Sequence, residues 1–123
     1  MNKPNYVDGY VLPVPKKNIK TYIRMAKQAG EVWKDHGALD YKECVADDLN
    51  VKGLTSFAKA ATLKKGETVV FAYVVFKSRK HRDSVNAKVM KDPRIAKMCD
   101  PKKMPFDVKR MVYGGFKIAV NPG

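Results

Sequence analysis

The chain is poor in cysteine and has no extended apolar run. Of its 123 residues only two are cysteines, Cys44 and Cys99, and they form neither a CxxC pair nor another metal-ligand spacing. The longest apolar run, Val69 to Phe76, has the length of one strand, whereas a membrane-spanning helix needs roughly 20 apolar residues. The composition therefore excludes a disulfide-based scaffold and offers no membrane-spanning helix.

Metal-ligating and phosphate-binding patterns are also missing. The two histidines, His36 and His81, stand far apart with no third ligand beside them, and a zinc site needs three or four converging ligands. The glycines form no phosphate-binding loop ahead of a helix, since Gly114-Gly115 lies within a strand pattern, where the pair predicts a bulge or a close backbone approach. The sequence therefore predicts neither a bound metal nor a cofactor.

The first residues contain no apolar segment followed by a small-residue cleavage site. This feature predicts a cytoplasmic protein, in which both thiols stay reduced. Cys44 falls in a predicted strand, and we expect it to be buried as a small hydrophobic residue. Cys99 falls in a polar loop, where we expect it to be exposed.

Acidic residues are scarce: 12 aspartates and glutamates face 25 lysines and arginines, for a net charge of +13. The excess is largest over residues 77–110, and such a segment attracts polyanions through counterion release. One hypothesis is therefore a nucleic-acid-binding surface on a predicted helix and the loop after it. Its residues would be Arg79, Lys80, Arg82, Lys88 and Arg94. The alternative is a solvated, lysine-rich surface that keeps the protein soluble.

Hydrophobic periodicity predicts four strands and two long helices. In chain order these are a strand over 6–14, a helix after the N-cap Asn18 that ends at His36-Gly37, strands over 39–45 and 69–76, a helix from Ser78 to about Lys91, a short turn over 94–98, and a strand over 109–120. A polar, irregular connection spans residues 47–66. The order strand–helix–strand–strand–helix–strand is the ferredoxin-like split βαβ. We therefore predict one α+β domain over residues 1–123, with an antiparallel sheet.

The third strand is apolar on both of its faces. Because a ferredoxin-like sheet has helices on one face only, the other face needs a cover, and a second copy of the chain would supply it. The run Phe71 to Phe76 also matches six of the eight positions of an RNA-recognition octamer whose aromatic residues stack on bases. Val69 and Val70 replace the basic residue and the glycine of that octamer. We therefore interpret the strand as core and homodimer interface.

Three runs of sequence are specific enough to indicate a family. They are Tyr6 to Pro15, Val85 to Arg94 and Met104 to Phe116. They resemble the YbaA-like bacterial family of domains of unknown function, and the resemblance extends from about Tyr6 to Ile118. It implies a ferredoxin-like βαββαβ subunit that pairs into a dimeric α/β barrel. Members of this wider group often hold a small organic molecule between helices and sheet, and some are cofactor-free monooxygenases. The implied function is binding of such a molecule, with oxidation or isomerisation as its chemistry.

By analogy with that group, the pocket-lining residues would be Trp33, His36, Tyr73, His81 and Tyr113. Polar residues of the specific runs, namely Asn86, Asp107, Lys109 and Arg110, form either a polar site beside Gly114-Gly115 or a structural hydrogen-bond network. The candidate ligand-binding set is therefore Trp33, Tyr73, Asn86, Asp107, Arg110 and Tyr113.

Candidate catalytic residues are Asp8, His36 and His81. We expect Asp8 to share one face of the sheet with Tyr6, Tyr10, Phe71 and Tyr73, and an acid among aromatic residues is a candidate proton acceptor. The alternative for Asp8 is a local hydrogen bond, or an ion pair with Lys109 or Arg110. His36 stands at a helix end, where the helix dipole favours it, and His81 lies among basic residues.

Overall fold

The chain folds into a four-stranded antiparallel sheet with its main helices on one face, as a computed structural model of residues 3–123 shows. The elements are β1 (Tyr6–Pro15), α1 (Ile19–Asp35), β2 (Asp40–Val45), α2 (Phe57–Ala60), β3 (Glu67–Phe76), α3 (Arg79–Met90), α4 (Pro93–Met98) and β4 (Val112–Lys117). Single 3₁₀ turns cover Lys16–Asn18 and Val108–Arg110. The strand order is β2-β3-β1-β4, which confirms the predicted ferredoxin-like α+β fold.

The helix boundaries follow from local chemistry. Asn18 is the N-cap of α1 as predicted, although its side chain donates to the Pro105 carbonyl at 3.0 Å instead of capping. Gly37, with φ of 110°, ends the helix in a conformation that glycine adopts without strain. The Ser78 hydroxyl accepts the His81 N–H and starts α3, and the Asp92 carboxylate caps α4.

The core lies between the helices and the sheet. One cluster joins the far end of α1 to β3 and α3, and a second joins the start of α1 to β1 and β3. The first contains Val32, Val74, Phe76, Val85, Val89 and Ile95, and the second Leu12, Val14, Tyr22, Ala26 and Val70. All of these strand residues have even numbers, as expected for strands that alternate between two faces.

The other sheet surface, here called the open face, carries odd-numbered residues of β1 and β3. In the register of the sheet Gly9 is opposite Tyr73, and Val11 is opposite Phe71. Phe71 and Tyr73 therefore lie on the open face, whereas Asp8 and Tyr10 point towards the helices. Tyr6, Asp8 and Tyr10 share a face as predicted, but the prediction that Phe71 and Tyr73 lie on it with them was wrong, because it assumed a register shifted by one residue.

The exposure of Cys44 and the backbone at Gly114-Gly115 also differ from expectation. Cys44 is exposed, because it lies on the edge strand β2 opposite Phe71 on the open face; Cys99 is exposed as predicted. The ladder between β1 and β4 runs unbroken through Gly114-Gly115, so there is no bulge. The predicted close approach does occur, since a Cβ on Gly115 would collide with the Tyr6 hydroxyl.

The connection over residues 47–66 is less irregular than its sequence suggests. It contains α2, which starts at the Ser56 cap. Its end is held by Arg110, which donates to both carboxylate oxygens of Glu67 at 2.6 and 2.9 Å and to the Thr62 carbonyl at 2.8 Å. The guanidinium of Arg110 holds the pKa of Glu67 at about 2. Arg110 thus anchors the connection to the segment before β4.

Gly30 lets the ring of Tyr41 pack directly on α1. A Cβ at this position would lie 2.8 and 2.9 Å from two ring carbons of Tyr41, much closer than van der Waals contact. The glycine is therefore required by the neighbouring ring and not by its own backbone.

We expect Gly30→Ala to lower the free energy of unfolding by about 1 kcal/mol, since the clash outweighs a helix-propensity gain of similar size. In a Tyr41→Ala background the clash is absent, and the same substitution should stabilise by about 1 kcal/mol. Urea denaturation of the four proteins gives the double-mutant cycle. A stabilising effect of Gly30→Ala in the wild-type background would contradict the packing described here.

Candidate functional site

A cavity of about 660 Å³ lies between α1, the helix-facing side of the sheet and the segment that follows α4. Its volume falls in the range of small-molecule sites. Most of the lining is apolar, and five methionines contribute to it: Met25, Met90, Met98, Met104 and Met111. Methionine side chains are flexible and polarisable, so such a wall adapts to ligands of different shape.

One acidic side chain lines this cavity. Glu43, on the helix-facing side of β2, accepts a hydrogen bond from the Tyr22 hydroxyl at 2.7 Å and another from the Tyr41 hydroxyl at 2.5 Å. Burial raises the pKa of both tyrosines, and the charge of Glu43 raises it further. Both hydroxyls therefore remain protonated donors to the carboxylate.

Two further aromatic residues complete the polar part of the wall. Trp33 lines the cavity while its indole N–H donates to the Asn86 Oδ1 at 3.0 Å. Tyr10 stacks against Tyr113 with ring centroids 4.9 Å apart. Burial, followed by the charge of Asp8, raises the pKa of Tyr10. Its hydroxyl makes no hydrogen bond to any residue within 3–123, so it is a free polar group in the cavity wall.

Behind this wall lies a buried network around Asp8, whose exposed fraction is 0%. Its Oδ1 accepts from Arg82 at 2.8 Å, and its Oδ2 accepts from the Asn86 amide at 3.2 Å and the Tyr113 hydroxyl at 3.1 Å. Arg82 also donates to the Tyr113 hydroxyl at 2.8 Å and lies over the Tyr6 ring at 5.0 Å. Every oxygen of the buried carboxylate is thus satisfied, and its charge is paired.

The network supports the cavity without lining it. Asp8, Arg82, Asn86 and Tyr113 are absent from the cavity surface. Asn86 nevertheless orients Trp33, and Tyr113 supports the Tyr10 ring. The arrangement corresponds to a binding wall held in place by a second layer of hydrogen bonds.

The structure brings together half of the predicted ligand-binding set. Trp33, Asn86 and Tyr113 belong to the wall and the network behind it. Tyr73 lies on the open face. Asp107 is exposed and caps the turn before β4 by accepting the Lys109 N–H, and Arg110 holds Glu67. The predicted polar site of Asn86, Asp107, Lys109 and Arg110 therefore does not form, because these residues serve different contacts.

The candidate catalytic residues are also separated. Asp8 pairs with Arg82 and not with Lys109 or Arg110, as had been the alternative. The His36 Nε2 lies 2.8 Å from the Asp92 carboxylate. The His81 Nδ1 accepts the Lys77 N–H, and burial together with the charges of Lys77 and Lys88 lowers the His81 pKa. Neither histidine lines the cavity, and no cluster of three metal-ligating side chains occurs among residues 3–123.

Two of the five residues of the predicted nucleic-acid surface form ion pairs within the chain, although the Arg94 side chain stays 50% exposed. Arg82 pairs with Asp8 with 13% of its side chain exposed, and Arg94 pairs with Asp35 and Asp92. Arg79, Lys80 and Lys88 remain exposed on α3. None of the helices described within 3–123 is long and apolar enough to cross a bilayer.

Glu43 and its two tyrosine partners were not predicted from the sequence. A signal for Glu43 was present, because alternation along β2 places Tyr41, Glu43 and Val45 on one face while α1 covers that face. An acid on the helix-facing side of a strand is uncommon unless it has partners or a function. The contribution of Tyr22 from α1 follows only from helix packing.

The strand order and the cavity between helices and sheet define a ferredoxin-like α+β protein. A solved nipsnap family protein of unknown function from Agrobacterium tumefaciens has the same fold, with a TM-score of 0.62 and 16% identity over 96% of this chain and 92% of that one. A dimeric ferredoxin-like protein from an uncultured marine organism matches with a TM-score of 0.58 and 11% identity, over 97% of this chain and 99% of that one.

The chain belongs to the family described as "Protein of unknown function (DUF1428)", whose model matches residues 5–108. It is 40% identical over 116 residues to "Uncharacterized protein YbaA" of Escherichia coli K12, which covers 94% of this chain and 97% of that protein. The same values hold for the Shigella flexneri protein of that name. The predicted YbaA-like family membership is confirmed.

We expect the loss of the buried Asp8–Arg82 pair to cost more stability than the loss of the exposed Asp107 cap. Arg82→Met should lower the free energy of unfolding by about 3 kcal/mol, because Asp8 stays buried without a cation. Asp107→Ala, which removes an exposed cap, should cost about 1 kcal/mol. Urea denaturation measures both.

Adding Asp8→Asn to Arg82→Met removes the uncompensated charge and should recover part of the loss. A double variant no more stable than Arg82→Met alone would show that the pairing of Asp8 and Arg82 is not what the fold requires.

Proposed function

We propose that this protein binds a small, largely apolar organic molecule in the cavity beside α1. The observation that carries the proposal is the cavity itself: about 660 Å³, almost entirely apolar, with a few polar groups from Glu43, Tyr10 and Trp33. Such a combination, an apolar volume with few placed polar groups, is typical of small-molecule sites. Any oxidation or isomerisation of the ligand would take place next to these polar groups.

We further propose that the protein acts as a homodimer joined through the open face. This face carries exposed apolar side chains on two strands, Phe71 on β3 and Val112 and Phe116 on β4, of which Val112 and Phe116 are 57% and 59% exposed. Large exposed apolar patches usually mark interfaces, and identical subunits most often pair about a two-fold axis. The solved marine protein of this fold is described as dimeric, which supports the proposal.

Nucleic-acid binding is the alternative, and exposed Arg79, Lys80 and Lys88 on α3 favour it. Its support is weaker, because Arg82 is paired with the buried Asp8 and the half-exposed Arg94 is already paired with Asp35 and Asp92. We also propose a cytoplasmic location, where the two free thiols, Cys44 and Cys99, would stay reduced.

Filling the cavity tests the small-molecule proposal. Ala29→Leu adds volume to the lining and should weaken binding of an apolar probe, adamantylmethanol, at least about tenfold while stability stays equal or rises. Binding is followed by calorimetry and by the fluorescence of Trp33, the single tryptophan.

The control is Ala87→Leu, the same change at an exposed position of α3 outside the cavity, which should bind like the wild type. Unchanged affinity in a folded Ala29→Leu variant would rule out this cavity as the site.

A charge on the open face tests the homodimer. Phe71 is 43% exposed there, and Phe71→Asp should weaken dimerisation at least about a hundredfold, since a central interface residue commonly contributes about 2 kcal/mol or more and the new charge is desolvated. Light scattering after size-exclusion chromatography over a dilution series measures the mass.

Ile23→Asp is the matched control, because Ile23 is similarly exposed at 48% but lies on α1, on the opposite side of the sheet. It should remain dimeric. A wild-type protein that is monomeric at all concentrations, or a Phe71→Asp variant that dimerises normally, would contradict the proposal.

A further inference from the structure

We propose that the carboxylate of Glu43 is the recognition point for a positively charged amine carried by the apolar ligand. This inference rests on the proposed function, because it assigns the chemical class of the molecule that the cavity binds. It identifies the ligand as an apolar body with one protonated amino group.

The charge of Glu43 has no counter-charge from a basic side chain beside it. Its two oxygens each accept one tyrosine hydroxyl, whereas a carboxylate offers about four acceptor positions. Among residues 3–123, no lysine, arginine or histidine nitrogen lies within 4.0 Å of it. A negative charge in a mostly apolar wall is costly without a counter-charge, and a ligand cation would supply one.

Asp8 and Glu43 differ in whether a basic side chain balances their charge. Both acids sit between sheet and helices, but Asp8 is neutralised by Arg82 at 2.8 Å and is closed off from the cavity. Glu43 lacks such a partner and lines the cavity. Lys27 and Lys34 line a neighbouring groove that Glu43 shares, but none of the described chain's 25 lysines and arginines lies within 4.0 Å of it, so the position beside the carboxylate is open for a cation from outside.

The aromatic residues around Glu43 suit the same ligand. Tyr10, Tyr22, Trp33 and Tyr41 line the cavity with it, and the rings of Trp33 and Tyr41 are 6.0 Å apart at 37°. Ring faces attract cations, tryptophan most strongly, and the attraction grows in a desolvated site. The free hydroxyl of Tyr10 offers the amine one more acceptor, while the methionines would contact the apolar body.

Three probes with one rigid body and different charge test the inference: adamantylmethylamine, adamantylmethanol and adamantane carboxylate. Their affinities for the wild-type protein are measured by calorimetry near neutral pH, with Trp33 fluorescence as a second signal. We expect the amine to bind at least about tenfold more tightly than the alcohol and the carboxylate. The net charge of +13 would by itself favour the carboxylate, so this order reports the local site.

Glu43→Gln keeps the size of the side chain and removes its charge. It should abolish the preference for the amine over the alcohol and change the affinity for the alcohol less than about threefold. Glu31→Gln makes the same change on the exposed surface of α1, outside the cavity, and should retain the preference.

The inference is overturned if the wild type binds the alcohol or the carboxylate as tightly as the amine, or if Glu43→Gln keeps the preference for the amine. Binding of the alcohol without that preference would leave the proposed cavity intact. A wild-type protein that binds none of the three probes would instead overturn the proposed function together with the inference. Because the wild-type series needs no variant, the result does not depend on how well Glu43→Gln folds.

Discussion

The rest of the structure depends on the ion pair and hydrogen bonds made by the buried carboxylate of Asp8. Asp8 lies in β1, a central strand, and its charge has to be balanced from other elements. Arg82 and Asn86 approach it from α3, and Tyr113 from β4. Asn86 extends the network to Trp33 on α1. A single acidic residue thereby ties two strands and two helices together, and it positions two aromatic residues of the cavity wall.

Glu43, the other acid described between the sheet and the helices, has different partners. Glu43 is held by two tyrosine hydroxyls and faces the cavity, whereas Asp8 is paired with a guanidinium and closed away from it. In a medium of low polarity a paired carboxylate mainly fixes structure, while an unpaired one keeps a strong attraction for a cation. The difference in partners therefore separates a structural acid from one suited to a ligand.

Much of the fold could be predicted from the sequence, because each element carries its own signal. Period-two alternation located β1, the apolar run Val69 to Phe76 located β3, and the Ser78 cap marked the start of α3. The errors arose where the burial or the face of a residue depends on the register between strands or on the position of a strand at the edge of the sheet. Tyr73 was predicted on the wrong face because the assumed register was shifted by one residue. Cys44 was expected to be buried although β2 is an edge strand.

The sequence by itself determined the order and type of the elements, the absence of a disulfide framework and the family, because these depend on local pattern and on specific runs of residues. The tertiary structure decided which polar residues meet. Asp8 and Tyr113 are 105 positions apart and Tyr22 and Glu43 are 21 apart, so their contacts depend on strand order, register and the packing of α1. Asp107 and Arg110 looked equally suitable in sequence, yet the fold uses one as a cap and the other as an anchor for Glu67. Side-chain partnership over such separations is a property of the folded chain, because no local pattern encodes it.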